Sequence, residues 1–503
     1  MLLIVGLALL LLLYALYELA PEWQPVEEHL LRRLNGGRLN AKERQDPAAL
    51  EDMRRDQSAV ALPPMAREAV PAHAPLDMAA PARALRLSAL GKVLVVPSVA
   101  LPIALAGLAF IAYALSASFM AHGFLVQSPV PYYVLLAKSW LHLSWSTGAD
   151  LLGSRTADLT LFNGQTYIAF PPLPAIMLLP FVAIFGSSFW DVPFSIGLSS
   201  FNVFLLYCVL GRLEYWGVRV SLWTRAWLVT LFAFGSPIWY LTIDGSVWFE
   251  AHIVALTCIL LGFLEALHPE RRPLRAAWWF GLAGLARPDA WAAATFFIGL
   301  EVAIAFREHR LRGAVRSIRI FLALFIVFPL IEATYNVVRF GSVADPGYKT
   351  MQVNPMFLSD LQRYGVFSLH YLGHDLFYMF LAPPLVQGGE VMPDPWGMSL
   401  FLMMPALVYL VGAWRVHRTR LVATVAAISS VMTIIPLATY YNTGWIQFGS
   451  RFAVDFLPFL LLLVALGARG RATRLLCALV IMSVVITAWG TLWFFVKYVP
   501  VRV

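Results

Sequence analysis

The sequence predicts an all-α polytopic membrane protein, a transmembrane helical bundle of about twelve or thirteen apolar segments. Three observations predict it. Hydrophobic residues are 60% of the 503 and charged ones only 13%, where a soluble domain carries about a quarter charged. Apolar runs of roughly 18 to 25 residues recur, each long enough for ~30 Å of hydrocarbon, and they lack the ~10-residue alternating pattern of barrel strands. Arginines collect in short clusters between the runs, as cytoplasmic loops do, so the formal charge of +8 reads as topology and no nucleic-acid partner is expected. Cys208, Cys258 and Cys477 all lie inside apolar runs, which leaves no disulfide framework or zinc spacing.

Residues 1–19 form an apolar run with no basic residue before it and no cleavage site after it, which predicts an uncleaved anchor. Residues 20–91 are charged, rich in Pro and Ala, and of both signs, a flexible cytoplasmic linker with a short helix or two. The transmembrane domain then occupies 92–503. Its first span, Lys92 to about Met120, runs outward because the basic linker precedes it. The large outer loop that follows, 121–172, opens on Tyr132–Trp145, where apolar and aromatic residues at helical spacing around Lys138 and His142 suit a membrane-parallel helix. Asn163-Gly164 predicts a tight turn, Tyr167–Phe170 short extended chain, and Pro171-Pro172 hold the next helix back to Leu173.

Further spans are expected near 173–187, 193–211, 226–243, 250–267, 276–286 with 290–306, 319–336, 399–414, 421–440, 452–468 and 474–496. From residue 226 onward, simple alternation puts every arginine cluster on the cytoplasmic side. One conflict stands, because two full crossings between 173 and 211 would carry Arg212–Arg225 outside. The mixed chemistry, by contrast, comes to the outer face: Asp150, Asp158, the 243–252 loop, Arg287-Pro288-Asp289, the 337–398 segment and the 440–451 loop. A site on the non-cytoplasmic side follows.

Several pieces are familiar as they stand: DLTLFNGQTYIAFPPLPAIMLLPFVAIFG (158–186), FGSPIWYLTIDGSVWFEAH (234–252), GLAGLARPDA (281–290), YNVVRFGS (335–342) with GYKTMQ (347–352), and YYNTGWIQFGSRFAVDFLPFLLLL (440–463). In this order the chain resembles the GT-C superfamily of polytopic glycosyltransferases, which includes bacterial relatives of the protein O-mannosyltransferases. The resemblance implies a polyprenyl-phosphate sugar as donor, a glycan, lipid or protein acceptor, membrane-parallel helices and a catalytic carboxylate in the first outer loop, and inversion at the sugar carbon. It places the protein in the bacterial cytoplasmic membrane, among membrane lipids, with its site outward. The sequence departs from that pattern between Met120 and Ala149, where there is no Asp or Glu, so Asp150 and Asp158 are the candidate catalytic residues.

Glycosyl transfer needs a carboxylate to take the acceptor proton and cations to meet the departing phosphate. Asp158 is the first candidate base, against a turn-capping role before Asn163-Gly164; Asp150, among Ser, Thr and Gly, is the second. Arg287 and Asp289 interrupt an apolar hairpin, where an ionisable pair is costly unless paired or functional, so Arg287 is a candidate phosphate ligand oriented by Asp289. Trp248, Glu250 and His252 suggest a polar rim for the sugar with Trp248 stacked on it, and the two-residue spacing of Glu250 and His252 argues against a metal pair. Tyr441, Gln447 and Arg451 belong to an aromatic, amide-rich loop ending at a helix start, a candidate phosphate seat, unless Arg451 pairs with Asp455 instead. Arg339 and Lys349 are further candidate anion contacts, or members of an interfacial belt. His370 and His374 have the chain's one helical metal-like spacing, although an amphipathic helix explains them too. No cofactor is assigned and a divalent metal is left open. The rival functions are a transporter or flippase of lipid-linked sugars and a non-catalytic scaffold.

Overall fold

The computed structural model describes residues 80–148, 158–309 and 311–498. The expected anchor, the linker up to residue 79 and Asp150 lie outside the described residues. The described chain falls into two units that part at residue 100, and the smaller contributes only helical backbone over 80–100.

The protein is mostly helical, with few short strands. Among the described residues seven helices are long and apolar enough to cross a membrane, or eight if one bent pair counts as a single span. Helix α1 (Ala80–Met120) and the short α2 (Tyr132–Leu141) are followed by strands β1 (Leu159–Phe162) and β2 (Gln165–Ile168). Asn163 and Gly164 join the strands with φ of 49° and 74°, the left-handed pair that a two-residue hairpin turn requires. Helix α3 (Leu173–Phe185) starts right after the two prolines. Thirteen residues at 1.5 Å each reach about 20 Å, short of the hydrocarbon core, whereas α4 (Asp191–Arg212) is of full spanning length. Of the two crossings expected over 173–211, only α4 is long and apolar enough to cross a membrane.

The expected span at 226–243 is bent: α5 (Leu222–Phe234) and α6 (Ile238–Asp244) meet at 53°, where Gly235, Ser236 and Pro237 interrupt the backbone ladder. Helices α7 (Val247–Ala266), α8 (Pro273–Ala286), α9 (Thr295–Glu308), α10 (Leu311–Phe325) and α11 (Val327–Phe340) complete the central bundle, with a 3-10 run Pro288–Ala294 between α8 and α9. Helices α12 (Pro355–Tyr364) and α13 (Leu372–Phe380) and the hairpin β3 (Leu385–Gln387) and β4 (Glu390–Met392) follow. The expected span at 399–414 is instead one turn of helix, α14 (Leu400–Met403), and a 3-10 run Pro405–Gly412. The break falls at Pro405, which lacks the N–H that would continue the helix, and the 3-10 run packs closely on Gly467, where a Cβ would collide with the Tyr409 carbonyl. Helices α15 (Arg420–Ala438), α16 (Ala453–Gly467) and α17 (Arg474–Trp493) follow, and a π-helical turn, Phe494–Tyr498, ends the chain's described part.

Helix α2 is buried along almost its whole length, in a cluster with Leu159, Ile168, Ala175, Leu178 and Val247. Even Lys138 is engaged, its Nζ donating to Ser187 Oγ at 3.0 Å. The outer-loop helix is therefore a packed support for the hairpin.

Candidate functional site

A cavity of about 740 Å³ opens where α7 and α16 begin and where α8, α11 and α15 end. Its walls are the hairpin (Asp158, Ala169–Pro171), the first turn of α7, the Arg287–Ala292 break, the inner face of α11 and the segments 343–351 and 440–452.

Asp158 stands at the lip of β1 with φ of 57°. Its amide donates to the Gln352 carbonyl at 3.0 Å, and Gln352 in turn donates to Leu159 O at 2.7 Å. Met351 bridges Thr160, whose Oγ1 donates to Gly347 O. Residues 347–352 thus form a strap along the hairpin edge. Trp248 Nε1 donates to Asp158 Oδ2 at 2.7 Å. Tyr348 and Tyr441 also line the cavity. Burial pushes the Tyr348 phenol up to about 12, with the Asp158 charge raising it and Arg287 opposing, and burial followed by the Asp158 charge pushes Tyr441 up too. Both phenols therefore stay protonated and able to donate at neutral pH.

The helix break at Arg287 also creates a charge network, which reaches the cavity through Arg287 and Asp289. Where α8 stops, Arg287 donates from Nε to Asp455 Oδ2 at 3.1 Å and sits 3.2 Å from Asp289 Oδ1 through Nη2. Asp455 Oδ1 also meets His252 Nδ1 at 2.9 Å, with both side chains fully buried. One arginine is thus balanced by two carboxylates, and a third group closes the array. Arg451 lines the cavity and lies 5.6 Å from the centres of the Phe249 and Phe452 rings. Lys349 lies at the rim, mostly exposed, 4.0 Å from Asp345.

Of the residues singled out from sequence, Asp158, Trp248, Arg287, Asp289, Lys349, Tyr441 and Arg451 line this one cavity. The others do not. Glu250 and His252 are buried in α7, His252 against Asp455. Gln447 is wholly buried and its amide is spent on the carbonyls of Trp396 and Thr443 and the amide of Arg451. Arg339 donates to Ile168 O at 3.0 Å and stacks on Tyr335, so it fastens the hairpin to α11. Sequence reasoning missed the central place of Asp455, and it missed Glu332 and Asn442, which also line the cavity.

Among the described residues no group of three or more His, Cys, Asp or Glu is placed to hold a metal. His370 stacks on Tyr364 at 3.7 Å, and His374 bonds Asp375 at 3.0 Å.

No family model and no curated protein matches the sequence. Solved structures similar to it include the Archaeoglobus fulgidus oligosaccharyltransferase in the apo form, with TM-score 0.42 and 13% identity over 77% of this chain and 56% of that one. ArnT from Cupriavidus metallidurans bound to undecaprenyl phosphate gives TM-score 0.40 and 14% identity over 71% of this chain and 59% of that one. The same protein in the apo state gives 0.33 and 16% over 76% and 60%. The chain spans between 56% and 60% of the length of these proteins.

Proposed function

We propose that the protein is a membrane glycosyltransferase that takes a sugar from a polyprenyl-phosphate donor and passes it, with inversion, to a hydroxyl of a glycan, lipid or protein acceptor on the non-cytoplasmic face. The observation that carries this is the meeting of a carboxylate, Asp158, and the cations Arg287, Arg451 and Lys349 around one cavity with apolar walls. A phosphate head needs the cations and a prenyl tail the apolar wall of Phe170, Pro171, Trp291, Pro329 and Leu437. The donor class itself comes from the resemblance of the sequence pieces to GT-C enzymes.

In this mechanism Asp158 takes the proton of the acceptor hydroxyl while that oxygen bonds the anomeric carbon. The bond from that carbon to the phosphate oxygen breaks, and its electron pair leaves with the lipid phosphate. Arg287, Arg451 and Lys349 all line the cavity and would together meet the growing phosphate charge. The arginine clusters occupy the ends of the same helices opposite to the cavity, which supports an outward-facing site.

The test is turnover of a panel of short-chain polyprenyl-phosphate sugars, with sugar, lipid and peptide acceptors, by purified protein in nanodiscs. Wild type should consume one donor and Asp158→Asn should lose roughly a hundredfold or more. Equal turnover by both would remove Asp158 as the base. A folded wild type that consumes no donor would remove the transferase function and leave the transport of lipid-linked sugars to be measured.

A further inference from the structure

The ring of Trp248 lines the cavity, yet its polar edge is turned to the protein: Nε1 donates to Asp158 Oδ2 at 2.7 Å. We propose that Trp248 is a positioning residue for Asp158, holding its carboxylate in one orientation at the cavity wall. The assignment rests on the proposed function, in which Asp158 is the base.

Two features make the pair suited to this. Asp158 belongs to a loop end, one residue before β1 and in a left-handed conformation, where a side chain without an outside anchor would sample several rotamers. Trp248 belongs to a rigid element. It is the second residue of α7, the preceding Val247 amide is bonded to the Val130 carbonyl at 3.1 Å, and the ring packs on the cluster of α2 and the hairpin. A donor fixed to a helix thus sets the direction of an acceptor on a loop, and 2.7 Å is in the range of a bond to an ionised oxygen.

The indole N–H can only donate. It stabilises the carboxylate anion and cannot itself accept the acceptor's proton, so during transfer that proton goes to Asp158 and Trp248 stays unchanged. After transfer the neutral acid is the weaker partner for the indole, which favours release of the proton to water before the next cycle. A tryptophan that merely stacked on a sugar would do none of this.

The test separates the contact from the chemistry. The ultraviolet resonance Raman band that reports indole hydrogen bonding is recorded for wild type minus Trp248→Phe, which isolates this one indole, and again in the Asp158→Leu background. A strong bond in wild type that weakens without Asp158 is expected, and an unchanged band overturns the assignment. In the donor panel, Trp248→Phe, which keeps an aromatic ring, should lower kcat roughly tenfold to a hundredfold with KM little changed, and should move the acid limb of the pH profile upward by about one unit. A raised KM with the pH profile unmoved means sugar stacking and overturns the positioning role while the transferase function stands. A folded wild type inactive on every donor removes that function and this role together.

Discussion

Asp455 has no exposure, yet its carboxylate serves both Arg287 and His252. Taking that carboxylate away leaves Arg287 with Asp289 alone in an apolar setting, and breaking a buried pair costs roughly 3 kcal/mol. Asp455→Asn is therefore expected to unfold at clearly lower denaturant or temperature in mixed micelles. Arg451→Gln is expected, under the proposed function, to lose roughly a hundredfold in turnover, because Arg451 lines the cavity. Measuring stability and turnover for both variants checks both outcomes. The Arg287–Asp289 pair was legible from sequence, since opposite charges inside an apolar hairpin must be used or matched. The meeting of Asp455 with Arg287 and His252 was not, because those residues lie 168 and 203 positions away from it in the sequence.

At the scale of elements, the β1–β2 hairpin is fastened on three sides, by the strap 347–352, by Trp248, and by Arg339 through the Ile168 carbonyl. Arg339→Leu leaves that buried carbonyl without its donor, at a cost of about 1–3 kcal/mol. Faster amide exchange confined to 159–168 and 347–352 is the expected result, read by deuterium exchange with mass spectrometry; uniform exchange across the chain would mean that Arg339 supports the whole bundle instead. The turn at Asn163-Gly164 and the helix start at Leu173 were readable because Asn-Gly and Pro-Pro act locally. The strap was not, because residues 347–352 show no alternation and pair with a strand far away in sequence. Helix α2 was readable as a helix, but its burial was not, since Lys138 looked like a solvent residue until Ser187 arrived to bond it.

Across the whole molecule, the arginine clusters and the cavity stand at opposite ends of the same helices. This predicts a labelling pattern in intact cells with a membrane-impermeant maleimide. Val343→Cys, 65% exposed beside the cavity, should react at once, and Glu270→Cys, exposed at the other end, only after permeabilisation. The reverse pattern would turn the cavity toward the cytoplasm. Cys258 and Cys477 are buried and Cys208 half-buried, so the labelling is done in a Cys208→Ala background. The helical membrane class was fully legible, because composition and run length are properties of the entire chain. The number of true crossings was less so. Apolar runs at 173–187 and 452–468 make short helices, and 399–414 makes a 3-10 run, because hydropathy measures what a segment tolerates and packing decides how long a helix it becomes.

The strap carries a consequence for biosynthesis. The amide of Asp158 finds its acceptor at Gln352, nearly two hundred residues later in the chain, and the network around Arg287 closes only with Asp455. A ribosome that has delivered the hairpin, α7 and α8 has therefore delivered loose parts. Such long-range pairings form last, after the intervening helices have been inserted. Under the proposed function the nascent protein stays chemically silent in the membrane until its C-terminal helices arrive, and a chain truncated before α16, lacking Asp455, should insert without completing the site.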